Sequence, residues 1–223
     1  MRRPPIRENA FWQTYGRARY AILFYALLLT LIFMPAATTI GLPPVLIKLM
    51  LAASLLAAVL PNAGPRSRFL LFAAIGALFL AQLSSSYGYL PLNSGLVLTL
   101  GGVIGLLAAA GTLRFTIRSN TVNGETIYAA LSTYLLAGLF FGQIYWAIES
   151  LKPGSLTGPD PVTELVAIYY SFVTLATLGY GDVLPRTDIA RGAAVFEVIG
   201  GQLFLAVMVA RLIGAFEATN RRA

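Results

Sequence analysis

The chain of 223 residues contains no cysteine and no histidine. Those two absences remove the usual zinc, haem and iron–sulfur ligands, the thiol nucleophile and the imidazole base of a catalytic triad. Most enzyme classes therefore fall outside expectation, as does a disulfide framework, and the redox compartment stays open. Charge is also scarce. Only 11% of residues are Asp, Glu, Lys or Arg, against roughly a quarter in soluble domains. Hydrophobic residues make up 57% and mean hydropathy is +0.75. Disordered and collagen-like chains do not have this composition. An integral, multi-pass membrane protein does.

The formal charge of +7 comes from 16 basic and 9 acidic residues, and its placement says more than its size. A membrane-crossing helix needs about 20 apolar residues. Six candidate spans follow, at 18–36, 43–60, 69–84, 94–113, 127–148 and 192–214. Arg2, Arg3, Arg7, Arg17 and Arg19 precede the first; no Ala-x-Ala cleavage site follows it, so it reads as a retained span. Arg66 and Arg68 fall in the second loop and Arg114 and Arg118 in the fourth, while the first and third loops carry no charge. By the positive-inside rule both termini are cytoplasmic, and the basic balance reflects topology in the plasma membrane, with no nucleic-acid partner. Lys48 lies near the outer end of the second span, where a lysine snorkels to the interface.

Between the fifth and sixth spans lies a segment that must begin and end outside the membrane. Glu149 to Pro161 is polar and rich in Gly and Pro; Val162 to Ala176 is apolar and aromatic; then comes Thr177-Leu178-Gly179-Tyr180-Gly181-Asp182. A helix fits the apolar run, with Asp160 as N-cap, Pro161 at N1 and Glu164 in the first turn. Its roughly 15 residues give about 22 Å, enough to dip into the bilayer but not to cross it.

From that depth the chain returns through about six non-helical residues, which is tolerated only where backbone is buried in protein or lines a watery cavity. Gly179 and Gly181 flank Tyr180 and permit backbone conformations that turn successive carbonyls to one side. Repeated by symmetry, such a row forms rings of oxygens that replace the hydration shell of a monovalent cation. Tyr87-Gly88-Tyr89 has no dipping helix before it and reads as a plain turn.

The run Ser171-Phe-Val-Thr-Leu-Ala-Thr177-Leu-Gly-Tyr-Gly-Asp182 resembles the pore helix and selectivity filter of the potassium channel superfamily, whose filter reads Thr-Val-Gly-Tyr-Gly. The likeness covers about residues 126–215 and is closest to prokaryotic channels with one pore per chain. It implies that Thr177, through hydroxyl and carbonyl, and Leu178, Gly179, Tyr180 and Gly181, through carbonyls, coordinate K+, with Asp182 at the outer mouth. Potassium is then the permeant ion, and no cofactor is expected. Leu178 stands where the family usually has valine. Val173 stands where some members carry an acid, so no carboxylate pair with Asp182 is expected. Tyr169 and Tyr170 read equally as interfacial aromatics or, by resemblance, as a cuff around the filter, supported by Thr174.

By the same resemblance the sixth span is an inner, gate-bearing helix. Gly201, preceded by Gly200, stands near the family's hinge glycine, where small residues let a helix bend or else serve close packing, and Gln202, Leu205 and Val209 line the cavity below it. Glu197 is the acid within this span; an intramembrane carboxylate is a functional candidate, and here the preferred reading is an acceptor for pore-helix hydroxyls. Gly138 and Gly142, like Gly101 and Gly105, have the small-xxx-small spacing of tight helix contacts.

The sequence thus implies an all-α membrane protein with six spans, a re-entrant pore helix and a filter loop. Its parts are a cytoplasmic N-terminus (1–17), a four-helix region (18–113), a linker (114–125) that lies as a helix along the inner surface, a pore domain (126–215) and a tail (216–223). One filter per chain requires a homotetramer, with K+ and membrane lipid as its other partners. The fourth span lacks the arginine ladder of a voltage sensor, so strong voltage gating is not expected, and the short termini leave no space for a regulatory module. The rivals are a non-selective cation channel and a six-span transporter with a re-entrant loop. Tyr180 argues against the first, and the second would show a counterpart of 160–182 in the first half.

Overall fold

The computed structural model describes residues 10–41, 76, 77, 80, 94–119, 122–158 and 161–220. The expected second span, nearly all of the third, Lys48, Arg66, Arg68, Tyr87 to Tyr89 and Asp160 lie outside them. The described chain is mostly helical: α1 (Ala10–Ile40), α2 (Ser94–Arg118), α3 (Gly124–Leu151), β1 (Leu156–Thr157), α4 (Glu164–Leu175), β2 (Leu184–Pro185) and α5 (Asp188–Asn220). Among the described residues four helices are long and apolar enough to cross a membrane: α1, α2, α3 and α5. They match the expected first, fourth, fifth and sixth spans, each extended by a few residues.

Two local features depart from the sequence reading. The expectation of a purely helical chain misses one antiparallel pair, in which Leu156 opposes Pro185 and Thr157 opposes Leu184. Among the described residues of the expected linker, 114–119 and 122–125, no separate helix is present. Residues to Arg118 complete α2, and α3 starts after Asn123, whose side chain accepts from Thr126 N at 3.0 Å. An Asn in extended backbone with an open side-chain oxygen is a strong start signal, and it divides the stretch in two.

In lipid, apolar burial alone gives little drive for helices to associate, so close packing has to supply it. α3 is the hub, with α1, α2 and α4 packed around it. On α2, a Cβ at Gly102 would meet Ile144 Cγ1 at 2.8 Å, and one at Gly105 would lie 2.1 Å from the Phe140 ring. Tyr20, Leu23 and Leu27 of α1 complete the core against Leu136, Leu139 and Phe140 of α3. At the far end, the Arg211 guanidinium of α5 donates to the carbonyls of Ile117 and, at 2.6 Å, Ser119. That satisfies carbonyls which the end of α2 leaves open and puts a cation at the negative end of its dipole.

α5 is the exception in burial. Only 11% of its span is buried within the chain, against 56% of α3. Phe196, Ile199, Leu203 and Val207 are exposed along it.

Candidate ion-conduction site

α4 begins at Glu164, later than the Asp160 start expected from sequence. Thr163, in extended backbone, accepts from Val166 N at 3.3 Å and caps the helix. Twelve residues then give about 18 Å of helix. It seats on α3 through the two expected glycines. A Cβ at Gly138 would lie 2.5 Å from the Phe172 ring, and one at Gly142 would lie 2.6 Å from Ile168 Cα.

The C-terminus of α4 closes by two hydrogen bonds, Thr177 N to Thr174 O at 3.0 Å and Leu178 N to Val173 O at 2.9 Å. This is the Schellman pattern, whose left-handed position usually takes glycine. Here it takes Thr177, at φ 57°, which is the described non-glycine residue with positive φ. A β-branched residue in this region is an outlier, of the kind that persists where surrounding structure over-determines it.

Beyond the cap the handedness alternates. Thr177, Gly179 and Gly181 have φ of 57°, 59° and 78°, while Leu178 and Tyr180 between them do not have positive φ. In an ordinary strand successive carbonyls point to opposite sides. Reversing the hand at every second residue brings them to the same side. The two glycines reverse the hand at little steric cost. An alternation of this kind is the backbone pattern that can align carbonyl oxygens towards a dehydrated monovalent cation. Thr177 to Asp182 are all exposed within one chain.

The segment is braced from outside. Tyr169 OH donates to Asp182 Oδ2 at 2.8 Å, and Val183 N donates to Oδ1 at 3.1 Å. The hydrogen bond to that carboxylate pushes the Tyr169 phenol above its ordinary value. Tyr170 points elsewhere, buried edge-on against Tyr145 with ring centroids 4.8 Å apart. The two neighbouring tyrosines therefore have separate surroundings: one beside Asp182, one in the core. Thr174, half-buried, supplies the carbonyl that the Thr177 amide uses. β1 and β2 tie the chain before α4 to the chain after Asp182, and Glu149 holds the approach by accepting from Gly154 N at 2.7 Å and Leu156 N at 2.9 Å.

On α5, Glu197 is fully buried. Its Oε2 accepts from Tyr145 OH at 2.8 Å, and its Oε1 lies 2.5 Å from Ser171 Oγ. One turn further along, a Cβ at Gly201 would lie 2.9 Å from the Leu175 carbonyl, whereas Gly200 faces open space. Gly201 is thus a close-contact glycine against α4. Gln202, Leu205 and Val209 are exposed, and the last two border an apolar cavity of about 460 Å³ with Tyr134 and Phe204. Sequence reasoning missed Tyr145, Thr163 and Arg211. Tyr145 was within reach of it, because it continues the Gly138 and Gly142 face of α3 at i+7.

Residues 96–218 match the family described as ion channel. The chain belongs to that family. Its pore domain is of the potassium channel kind, and the family is not an enzyme class. Among similar proteins, the voltage-gated potassium channel Kch of Escherichia coli is 29% identical over 66% of this chain and 36% of its own length. The inward rectifier potassium channel Kirbac3.1 of Paramagnetospirillum magnetotacticum is 32% identical over 37% of this chain and 27% of its own. The putative potassium channel protein YugO of Bacillus subtilis is 29% identical over 38% and 23%. The chain spans a quarter to about a third of these relatives' length. No solved structure matches this ion channel family member.

Proposed function

We propose that the protein is a potassium-selective channel that conducts K+ passively through a homotetramer in the plasma membrane. The observation that carries this reading is the alternation of hand from Thr177 to Gly181, directly after a capped dipping helix. In it, the carbonyls of Thr177, Leu178, Gly179, Tyr180 and Gly181 and the Thr177 hydroxyl coordinate K+, and Asp182 stands at the outer mouth. Four copies surround the ion, since one row cannot form a ring. The uncovered apolar side of α5 supports that assembly, as an inner helix needs neighbours on faces that its own chain leaves open. Six spans put both termini in the cytoplasm. The absence of arginines from Leu96 to Leu113 of α2 supports weak voltage dependence.

The test is potassium-driven flux into liposomes holding the purified protein, with sodium as comparison ion and Gly179→Asp as control. The reading requires K+ flux with Na+ excluded, abolished in the variant. Equal flux of both ions would favour a non-selective channel, and flux unaffected by the Gly179 change would reject the site.

A further inference from the structure

The proposed conduction role accounts for the carbonyl row but leaves a buried acid unused. Glu197 lies where three helices meet, bonded to Tyr145 of α3 and Ser171 of α4. Among the described residues, the titratable groups facing it are Tyr134 and Tyr145 of α3 and Tyr170 of α4; all are phenols, and none is a cation. An ionised carboxylate buried without a counter-charge is costly.

Counting protons at Ser171 decides the form. Its Oγ lies 2.7 Å from the Gly138 carbonyl and 2.5 Å from Glu197 Oε1. A serine hydroxyl has one proton to donate, and the carbonyl can only accept. With Glu197 ionised, two acceptors compete for that proton, and one close oxygen–oxygen contact holds none. With Glu197 neutral the chain closes. Tyr145 donates to Oε2, Oε1–H donates to Ser171, and Ser171 donates to the Gly138 carbonyl.

We propose that Glu197, as the neutral acid, is a positioning residue for the conduction site, clamping the pore helix α4 between α3 and α5. Its pairing with Ser171 and the Gly201–Leu175 contact fall one helical turn apart on both helices, so α4 and α5 meet along a single ridge. Leu175 lies two residues before Thr177, so the clamp sets where the carbonyl row starts.

The test uses the full chain in liposomes, reading the K+ to Na+ flux ratio beside assembly state, with infrared spectra of the same samples. Glu197→Gln keeps an acceptor for Tyr145 and a donor for Ser171, and retains the wild-type ratio. Glu197→Ala and Ser171→Ala each lower it by about tenfold, the factor of one orphaned buried hydrogen-bonding group. If Glu197→Ala fails to assemble, Ser171→Ala, which barely changes volume, decides between the outcomes. At neutral pH the wild type shows a protonated carboxyl band that Glu197→Gln lacks. Loss of the ratio in Glu197→Gln equal to that in Ser171→Ala, or no such band, overturns the clamp while leaving the channel. A wild type that does not discriminate K+ from Na+ overturns the potassium-selective reading, and the clamp's role with it.

Discussion

Gly179→Ala isolates backbone hand from every other property of the carbonyl row. Gly179 has φ 59°, and a Cβ there would meet nothing within 4 Å. A methyl group thus creates no clash, and the whole effect comes from holding an L-residue in the left-handed region. That costs roughly 1–2 kcal/mol per residue. In the proposed tetramer, whose four rows must be formed together, the sum is about 4–8 kcal/mol, a fall of about three or more powers of ten in the population of the conducting arrangement. Gly111→Ala in α2 is the matched control, since Gly111 also faces open space and its helix gains up to about 1 kcal/mol from the same change. Potassium flux into liposomes reads the first effect, and thermal unfolding in detergent reads the second. The expected result is no measurable flux from an assembled Gly179→Ala protein, with Gly111→Ala conducting as wild type. Flux above about a tenth of wild type in Gly179→Ala would refute the alternating backbone, because even one strained copy should cost about that much.

Gly142→Ala tests the seat of the pore helix: its methyl would lie 2.6 Å from Ile168 Cα, a backbone atom that cannot swing aside. Overpacking of about 1–3 kcal/mol there outweighs a helix gain of about 1 kcal/mol, so the thermal midpoint should fall, where for Gly111→Ala it rises. Tyr169 gives a pH prediction. A phenol whose folded value is raised above 10.0 keeps its proton, and its bond to Asp182, throughout the neutral range, losing both only as pH rises through the raised value. An ultraviolet phenolate titration of wild type minus Tyr169→Phe should show one step on the alkaline side of a free phenol.

The spans and the site were legible where the sequence holds long apolar runs or backbone-permissive residues. The runs at 94–113, 127–148 and 192–214 correspond to α2, α3 and α5, because a membrane-crossing helix announces itself by composition alone. Gly138 and Gly142 announced a close contact, but their partners, Phe172 and Ile168, depend on how α4 tilts against α3. The Thr163 cap lost to Asp160 because Pro161 suggested an earlier first turn, and only the local hydrogen bond chooses between two good caps. The left-handed Thr177 could not be inferred by propensity, which disfavours it. Gly201 suggested bending, whereas its neighbour across the helix pair, the Leu175 carbonyl, is visible only in three dimensions.

Thr177 belongs at once to the cap of α4 and to the carbonyl row, and its amide and that of Leu178 are both bonded back into the helix. No spacer separates the two. A change in chain length therefore has nowhere to be absorbed: one residue gained or lost between Val173 and Gly181 would put the left and right hands out of phase with their side chains. Tyr180 would then be asked for a left-handed conformation, which glycine adopts at little cost and an L-residue only under strain. In this chain the identity of a residue such as Leu178 is therefore less constrained than the count of residues, which the alternation itself fixes.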